Sequence, residues 1–187
     1  MAQNYTITEI PGRSRIKIAT TDVESSDDRS VKSPEWMIKI EDLVSSEVDG
    51  FDDHCQLFGW YGESSRLTTG DISNTLNSSA TLKHSDLVLL IPNGGHGAQL
   101  ETKMNLGTPL TEVKIVRLGN IKAAKVKMQE IEFSTCRIQS IQQQLDRLLV
   151  FLSVGTKTNT VYVFGPDGSQ KGQMVSKVNY IKNTIDA

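Results

Sequence analysis

The sequence of 187 residues predicts a mainly β protein with one short α-helix. Several short segments alternate apolar and polar residues with a period of two, which is the pattern of half-buried strands. Clusters of glycine, proline and asparagine separate these segments, as at 92–95 and 165–168. The stretch 97–106 instead combines helix-favouring residues with an apolar pair at helical spacing.

Composition excludes several classes of function. The net charge is -2, so no global basic field exists to hold nucleic acid or an acidic membrane. Two cysteines, Cys55 and Cys136, make no disulfide framework, which favours a cytosolic folding compartment. The longest apolar run, Leu87–Ile91, is far shorter than a membrane span, and the N-terminus shows no secretory signal. We expect export, if it occurs, to proceed without a cleaved signal peptide.

The chain is predicted to divide into an N-terminal arm, 1–33, and one domain, 34–187. Within the arm, Arg15–Ile18 alternates like a short strand, and a serine-rich acidic stretch follows. That composition favours a solvated linker. The alternative is a docking strand for the sheet edge of a neighbouring molecule.

The domain opens with two predicted strands and a long polar segment. Segment 36–41 alternates cleanly and predicts a half-buried strand, and 55–61 predicts a second strand that ends in aromatic residues. Between 62 and 81 the chain is mostly Gly, Ser, Thr and Asn. Loops of this length inside compact domains are uncommon and tend to be functional or disordered. We interpret this one as a contact with another subunit.

A central strand and the helix come next. The apolar run 87–91 predicts a buried strand, and the turn residues after it end that strand. Leu100 and Met104 then share one face of a helix over 97–106. Gly107 stands where a helix C-cap glycine belongs.

The middle of the chain predicts a strand pair, 112–118 and 122–138, around Gly119–Asn120. Along the second strand the apolar side chains change parity. This change predicts a β-bulge at Gln129–Glu130, because one extra residue moves every later side chain to the other face. Such bends close sheets into barrels.

Segment 141–152 is ambiguous from its residues, because its apolar spacing matches a helix while its last residues are strand formers. The rest is clearer. Thr160–Phe164 predicts a strand, 165–168 a turn, and about 173–181 a last strand.

The sequence offers no reaction centre. Its three histidines lack metal-ligand spacing, and His54 and Cys55, as neighbours on a strand, would point to opposite faces. The glycines at 94–97 favour a flexible helix entry over a phosphate site. Cys136 favours a buried apolar role. We predict no catalytic, metal-binding or cofactor-binding residue, and a protein that is not an enzyme.

Several short motifs, in this order, resemble the Hcp family (haemolysin-coregulated protein), the tail-tube protein of type VI secretion systems. Met37–Asp42 is similar to the family's opening strand, and Leu57–Gly62 to its aromatic strand ending in W-x-G. Lys127–Ile131 resembles its K-L-E-D-V bend. Asp146–Leu148 resembles its D-R-L, and Asp167–Ser169 its D-G-S loop.

The resemblance implies a small β-barrel of two packed antiparallel sheets with one helix on its side, as in phage tail tubes. It implies hexameric rings that stack into a tube, which a contractile sheath expels with a spike and which carries effector proteins. The tube would assemble in the bacterial cytoplasm and leave for the exterior or a target cell, without cofactor, nucleic acid or membrane insertion. The resemblance also favours strand for 141–152.

The polar segment is the predicted ring-stacking loop. Small polar residues supply backbone freedom and hydrogen bonds, and they bury no charge against the next ring. The candidate stacking residues are Gly70, Ser73, Asn74, Asn77 and Ser78.

Three alternatives remain open from sequence. A tail-tube protein of a contractile phage or phage-like particle has the same fold. A ligand-binding β-sandwich would use Trp60 and Tyr61 as an exposed platform, so a buried Trp60 counts against it. An enzyme on a β-barrel scaffold lacks the required group of catalytic residues.

Overall fold

A computed structural model describes residues 35–46, 48, 50–69, 79–122 and 124–186. The predicted arm, 1–33, lies outside the described residues. Its boundary with the domain therefore stays a prediction.

Twelve strands and one helix make up this part of the chain, and every strand pairing is antiparallel. The class, mainly β with one short helix, is confirmed. The elements are β1 Trp36–Ile40, β2 Cys55–Gln56, β3 Gly59–Tyr61, β4 Ser64–Thr69, β5 Ser79–His84, β6 Leu87–Pro92, α1 Gly95–Leu106, β7 Leu110–Ile121, β8 Ala124–Gln144, β9 Arg147–Ser153, β10 Thr156–Phe164, β11 Gln170–Asn179 and β12 Thr184–Asp186.

Two sheets share the long strand β8. The first sheet has the order β12-β11-β10-β8-β7-β1-β2, and the second runs β3-β6-β9-β8. Residues 124–136 of β8 pair with β7, whereas 137–144 pair with β9. The change occurs beside Thr135, which has a φ of 55°. A residue in the left-handed region redirects a strand, so one continuous strand supplies both sheets.

The core fills the space between the two sheets. It includes Ile38, Ile115, Phe133, Leu89 and Val150, all fully buried.

Strand β1 has one buried face, and its other face is buried at Met37 but only partly covered at Lys39, so the prediction of a half-buried strand was right in part. Met37, on the face opposite the main core, is fully buried against Phe51 and Val116. The chain after β1 folds back over this face and carries Phe51 there.

The predicted pair of packed antiparallel sheets is confirmed, but the described strands do not form a continuous closed barrel. The ladder is interrupted between β2 and β3, where the chain passes from the first sheet to the second. Two single backbone hydrogen bonds between described residues mark this passage. The Leu57 N–H donates to the Trp36 carbonyl oxygen at 3.0 Å, and the Phe58 N–H donates to that of Leu90 at 2.9 Å.

The predicted helix is confirmed, and it begins two residues earlier than expected, at Gly95. Gly107 adopts a φ of 65°, and its N–H donates to the Met104 carbonyl oxygen at 3.0 Å. The Thr108 N–H donates to the Lys103 carbonyl oxygen at 3.0 Å, which completes the glycine cap. Leu100 is fully buried against the core. Within the described ranges, no helix has the length and apolar character to cross a membrane.

The predicted bulge is present one residue before its expected place. Arg117 faces Gln129 and Leu118 faces Lys127, so Met128 is the extra residue. The prediction of a turn at Gly119–Asn120 was wrong, because β7 continues through these residues to a turn that includes Lys122. Gly119 has another role: a Cβ there would lie 2.7 Å from Cγ of Met128, so glycine makes room for the bulged side chain.

Segment 141–152 is strand rather than helix, in agreement with the choice that the resemblance favoured. It is a hairpin in which β8 ends at Gln144 and β9 begins at Arg147. Leu145 lies in the turn and is fully exposed. The helical spacing of its apolar residues is therefore coincidental.

The predicted long loop, 62–81, was wrong in part, because strands occupy both of its ends. β4 and β5 pair with each other over six residue pairs, from Ser64 opposite His84 to Thr69 opposite Ser79. This hairpin forms a sheet of its own. The threonines in both strands are compatible with this pairing, since threonine is β-branched and favours strands.

The C-terminal strands were predicted correctly. β10 and β11 flank the turn at 165–168, where Gly168 has a φ of 78°. β12 is an addition that the sequence did not suggest.

Candidate assembly surface

The core-side face of the first sheet continues past the core onto β10 and β11. The strand register places Ile115, Ile131 and Asn159 in one row across three strands. In a neighbouring row, Gln129 faces Val161, and Val161 faces Met174. These rows show that Val161 and Met174 lie on the same face as the core residues.

Three apolar side chains of β10 and β11 on this face are uncovered. Val161 is 38% exposed, Val163 is 39% exposed and Met174 is 70% exposed. We call these three residues the apolar stripe. The second sheet is built from β3, β6, β9 and the end of β8, and none of these strands buries the stripe.

The strand that carries Met174 also has an open edge. β12 pairs only with Lys177–Asn179 of β11. Along 170–176, the outer side of β11 has no strand partner within the described ranges. We call this segment the open edge. Unpaired backbone N–H and C=O groups on such an edge are a template for pairing with another chain.

The opposite face of the first sheet has different chemistry, because it carries ion pairs. Lys39 Nζ lies 2.6 Å from Asp53 Oδ2 and 3.7 Å from Glu112 Oε2. Glu112 Oε1 in turn lies 2.6 Å from Lys114 Nζ. The hydrogen bond to Lys39 lowers the pKa of Asp53, and the same bond raises the pKa of Lys39. Lys39 and Lys114 on this face are thus paired with carboxylates of the same chain.

The hairpin β4–β5 carries the predicted stacking loop. Its base is held by the Ser85 N–H, which donates to the Glu63 carbonyl oxygen at 2.9 Å, and by the Glu63 N–H, which donates to Ser85 Oγ at 2.9 Å. The five candidate stacking residues lie outside the described residues, so their role stays a prediction. They are Gly70, Ser73, Asn74, Asn77 and Ser78.

Trp60 and Tyr61 do not form an open aromatic platform. Trp60 is half-buried and packs against Trp36, with ring centroids 6.2 Å apart and planes tilted by 58°. Tyr61 packs beside the buried residues of the second sheet, and its hydroxyl donates to Glu63 at 2.9 Å. This arrangement counts against the ligand-binding β-sandwich.

The two cysteines and His54 are buried within the fold. Burial raises the pKa of Cys55 and that of Cys136 to about 12, so both thiols are neutral. Burial lowers the pKa of His54, whose Nδ1 lies 2.6 Å from Asp53 Oδ1. No three acidic, histidine or cysteine side chains cluster as metal ligands in the part of the chain that the structure describes.

The sequence did not identify the apolar stripe or the open edge. The alternation of β10 indicates a strand with one apolar side, but it does not show whether that side is covered. The position of β10 and β11 outside the second sheet depends on the topology.

Comparison with known proteins rests on structure alone. No family profile and no curated protein matches the chain. A solved structure described as a type six secretion system protein superposes with a TM-score of 0.70 over 82% of this chain and 100% of its own, at 12% identity. Hcp1 from Salmonella typhimurium superposes with a TM-score of 0.61, over 81% of this chain and 97% of its own, at 16% identity. The chain has the Hcp fold.

Hcp1 from E. coli gives a similar result, with a TM-score of 0.60, 12% identity, and coverage of 79% of this chain and 99% of the other. The Hcp fold therefore spans nearly the whole of each matched chain. Identities this low show the fold alone, so function has to be argued from the surfaces described above.

Proposed function

We propose that the protein is the tube subunit of a type VI secretion system. In this proposal it forms hexameric rings, and the rings stack into the inner tube that sheath contraction expels. The observation that carries the proposal is the joint presence of the open edge and the apolar stripe on one outer hairpin of an Hcp fold. Both features are incomplete on a single chain, and a second copy would complete both.

A closed ring needs a head-to-tail interface, in which one surface of each copy fits a different surface of the next. The hairpin β10–β11 supplies one such surface. Fully burying a Val or Met side chain contributes about 1.5–3 kcal/mol relative to exposure. The stripe is partly exposed, so each residue would add a fraction of that, multiplied over every interface in the ring.

The distribution of charge also favours an interface on the core-side face of the hairpin β10–β11. On the face opposite the stripe, Lys39 and Lys114 are paired with carboxylates within the chain, so these two charges need no partner from another copy. The net charge of -2 limits repulsion between many stacked copies.

Stacking between rings would use the hairpin β4–β5 and the loop at its tip. The proposed partners are further copies of this chain, a spike protein, the contractile sheath and effector proteins in the lumen. The proposed route runs from assembly in the bacterial cytoplasm to the exterior or a target cell. The protein's role in it is structural rather than enzymatic.

Two neighbouring residues of β11 provide a matched test. Met174 lies on the core-side face, and Val175 lies on the opposite face of the same strand. We expect Met174→Lys to abolish rings and Val175→Lys to retain them, because only the first places a charge in the proposed interface. Light scattering and electron micrographs of the purified proteins measure both outcomes.

The wild-type protein is the first control in this experiment. A wild-type protein that stays monomeric at high concentration would overturn the proposal. Rings that survive Met174→Lys but not Val175→Lys would move the interface to the other face.

A further inference from the structure

The base of the hairpin β4–β5 is tied to the C-terminal segment. The Ser64 hydroxyl lies 2.7 Å from the Tyr180 hydroxyl, and Lys157 Nζ donates to Ser64 Oγ at 3.3 Å. On the other hairpin strand, the Leu82 N–H donates to Asn183 Oδ1 at 2.7 Å. Both strands of the hairpin are therefore attached to residues far away in sequence.

His84, the last residue of β5, lies at the centre of this contact. Its ring meets the Phe133 ring edge-on at 5.8 Å and the Tyr180 ring at 5.2 Å. Gly62 approaches from a third side, where a Cβ would lie 3.0 Å from Cε1 of the imidazole. The imidazole is therefore enclosed by β8, by the residues before β4 and by the turn at 180–183, which we call the C-terminal turn.

The hydrogen bonds of His84 suit its neutral form. Nδ1 is bonded to the Ser85 carbonyl oxygen, so Nδ1 carries the hydrogen and Nε2 is left without one. Nε2 is buried and has no hydrogen-bond partner among the described residues. Protonation would turn Nε2 into a buried cationic donor without an acceptor, which is costly in a protein interior.

Two charged groups act on the imidazole from the elements packed around it. Burial is the largest influence and lowers the pKa of His84, and the nearby Lys157 on β10 lowers it further. The bond to Ser85 and the carboxylate of Asp86 act in the opposite direction. Lys157 is itself partly enclosed, with Nζ 6.0 Å from the centre of the Phe133 ring, and burial lowers its pKa. The other enclosing groups are the Phe133 ring and the Tyr180 phenol.

We propose that this contact is a pH-sensitive latch, in which protonation of His84 releases the base of the hairpin β4–β5 from the C-terminal turn. The latch lies within one chain, so it goes beyond the tube proposal and does not rest on it.

The direction of the effect follows from linkage. A histidine has a pKa of about 6.5 when it is free in solution, and the closed latch holds the pKa of His84 lower. The closed form is therefore fully stabilised above that free value, and the stabilisation is lost as the pH falls toward the pKa of the closed form. The latch is closed at neutral pH and opens in mild acid.

Hydrogen exchange on the full-length protein tests the latch directly. Amide protection is compared at pH about 7.5 and about 5.5, after correction for the intrinsic exchange rate. We expect the Leu82 amide and its β5 neighbours to lose protection at the lower pH, because protonation of His84 releases the contact in which the Leu82 N–H is bonded to Asn183. Strands β6 and β9 should keep their protection. An equal loss in every strand, or no loss in β5, would overturn the latch.

Substitutions identify the responsible histidine. His84→Gln removes the titrating group, so the difference between the two pH values in β5 should disappear. His96→Gln is the matched control on the helix and should keep that difference. A pH response that persists in His84→Gln would refute the proposal.

Titration of the wild-type imidazole covers the case in which His84→Gln fails to fold. Followed by NMR, the midpoint for His84 should lie below the free value of about 6.5. Lys157→Met should move this midpoint upward, because it removes a neighbouring positive charge. A wild-type midpoint at or above the free value would overturn the proposal.

Discussion

The core-side face of the first sheet runs across two halves, β7–β8 and β10–β11. The second sheet covers this face on the first half and leaves it open on the second. On β7 and β8, Ile115 and Phe133 are fully buried beneath the second sheet. On β10 and β11, Val161 and Met174 occupy the same face and remain exposed. The side chains are similarly apolar, so the difference comes from topology. We propose that a neighbouring subunit covers the apolar face that the second sheet leaves open.

The largest expected change in unfolding free energy comes from truncating one side chain in each half of the first sheet. Phe133→Ala should lower the free energy of unfolding by about 3–5 kcal/mol, because it leaves a cavity in the core. Met174→Ala should change the unfolding of the monomer by less than about 0.5 kcal/mol, because its side chain is exposed. Urea unfolding at low protein concentration measures both. A large loss in Met174→Ala would show that the stripe is buried within the monomer.

Two glycines provide a second test, Gly107 at the end of the helix before β7 and Gly168 in the turn between β10 and β11. Gly107 and Gly168 both have positive φ values, 65° and 78°. A Cβ on Gly107 would meet nothing within 4 Å, whereas a Cβ on Gly168 would lie 2.5 Å from Cγ2 of Ile121. We expect Gly107→Ala to cost about 1 kcal/mol, from backbone strain alone. Gly168→Ala should cost about 2–3 kcal/mol, since it adds a steric clash.

Thermal unfolding of the two glycine variants checks that order. The contact between Gly168 and Ile121 joins the β10–β11 turn to the end of β7. Equal costs for the two variants would mean that this contact yields easily and that the outer hairpin is held mainly by its strand hydrogen bonds.

The smallest expected effect concerns the charged face. Asp53→Asn removes the partner of Lys39 and should cost less than about 1 kcal/mol at neutral pH, because the pair is partly exposed to solvent. The pKa of Asp53 is lowered in the folded protein, so its contribution is present above the unfolded pKa and is lost as the pH falls through the folded pKa.

Urea unfolding at neutral and strongly acidic pH measures the ion-pair effect. The difference between wild type and Asp53→Asn should vanish in acid, and it should shrink at high salt. Glu35→Gln is a suitable control, because Glu35 and Arg117 form a pair that is about half exposed on both sides. A difference that persists in acid would rule out the ion pair as its cause.

Local signals in the sequence predicted much of the fold. Apolar alternation located β1 and β10, the run 87–91 located β6, and Gly107 marked the end of the helix. The change of parity along β8 located the bulge to within one residue. Each of these features depends on residues that are close together in the chain.

The failures concern residues whose role depends on distant parts of the chain. Gly119 suggested a turn, but it makes room for Met128 across the strand pair. Met37 appeared to lie on an exposed face, but the chain after β1 covers it with Phe51. The candidate surface escaped prediction for the same reason, since burial of the stripe depends on how far the second sheet extends.

The passage of β8 from one sheet to the other at Thr135 has a mechanical consequence. A load on β10 enters residues 129–134 of β8 through hydrogen bonds, and it then reaches the second sheet along covalent bonds of the same strand. We therefore expect the subunit to resist shear as one body. Two sheets joined only by side-chain packing could slide past each other, whereas here sliding would require β8 to give up its hydrogen bonds to the strands of one sheet.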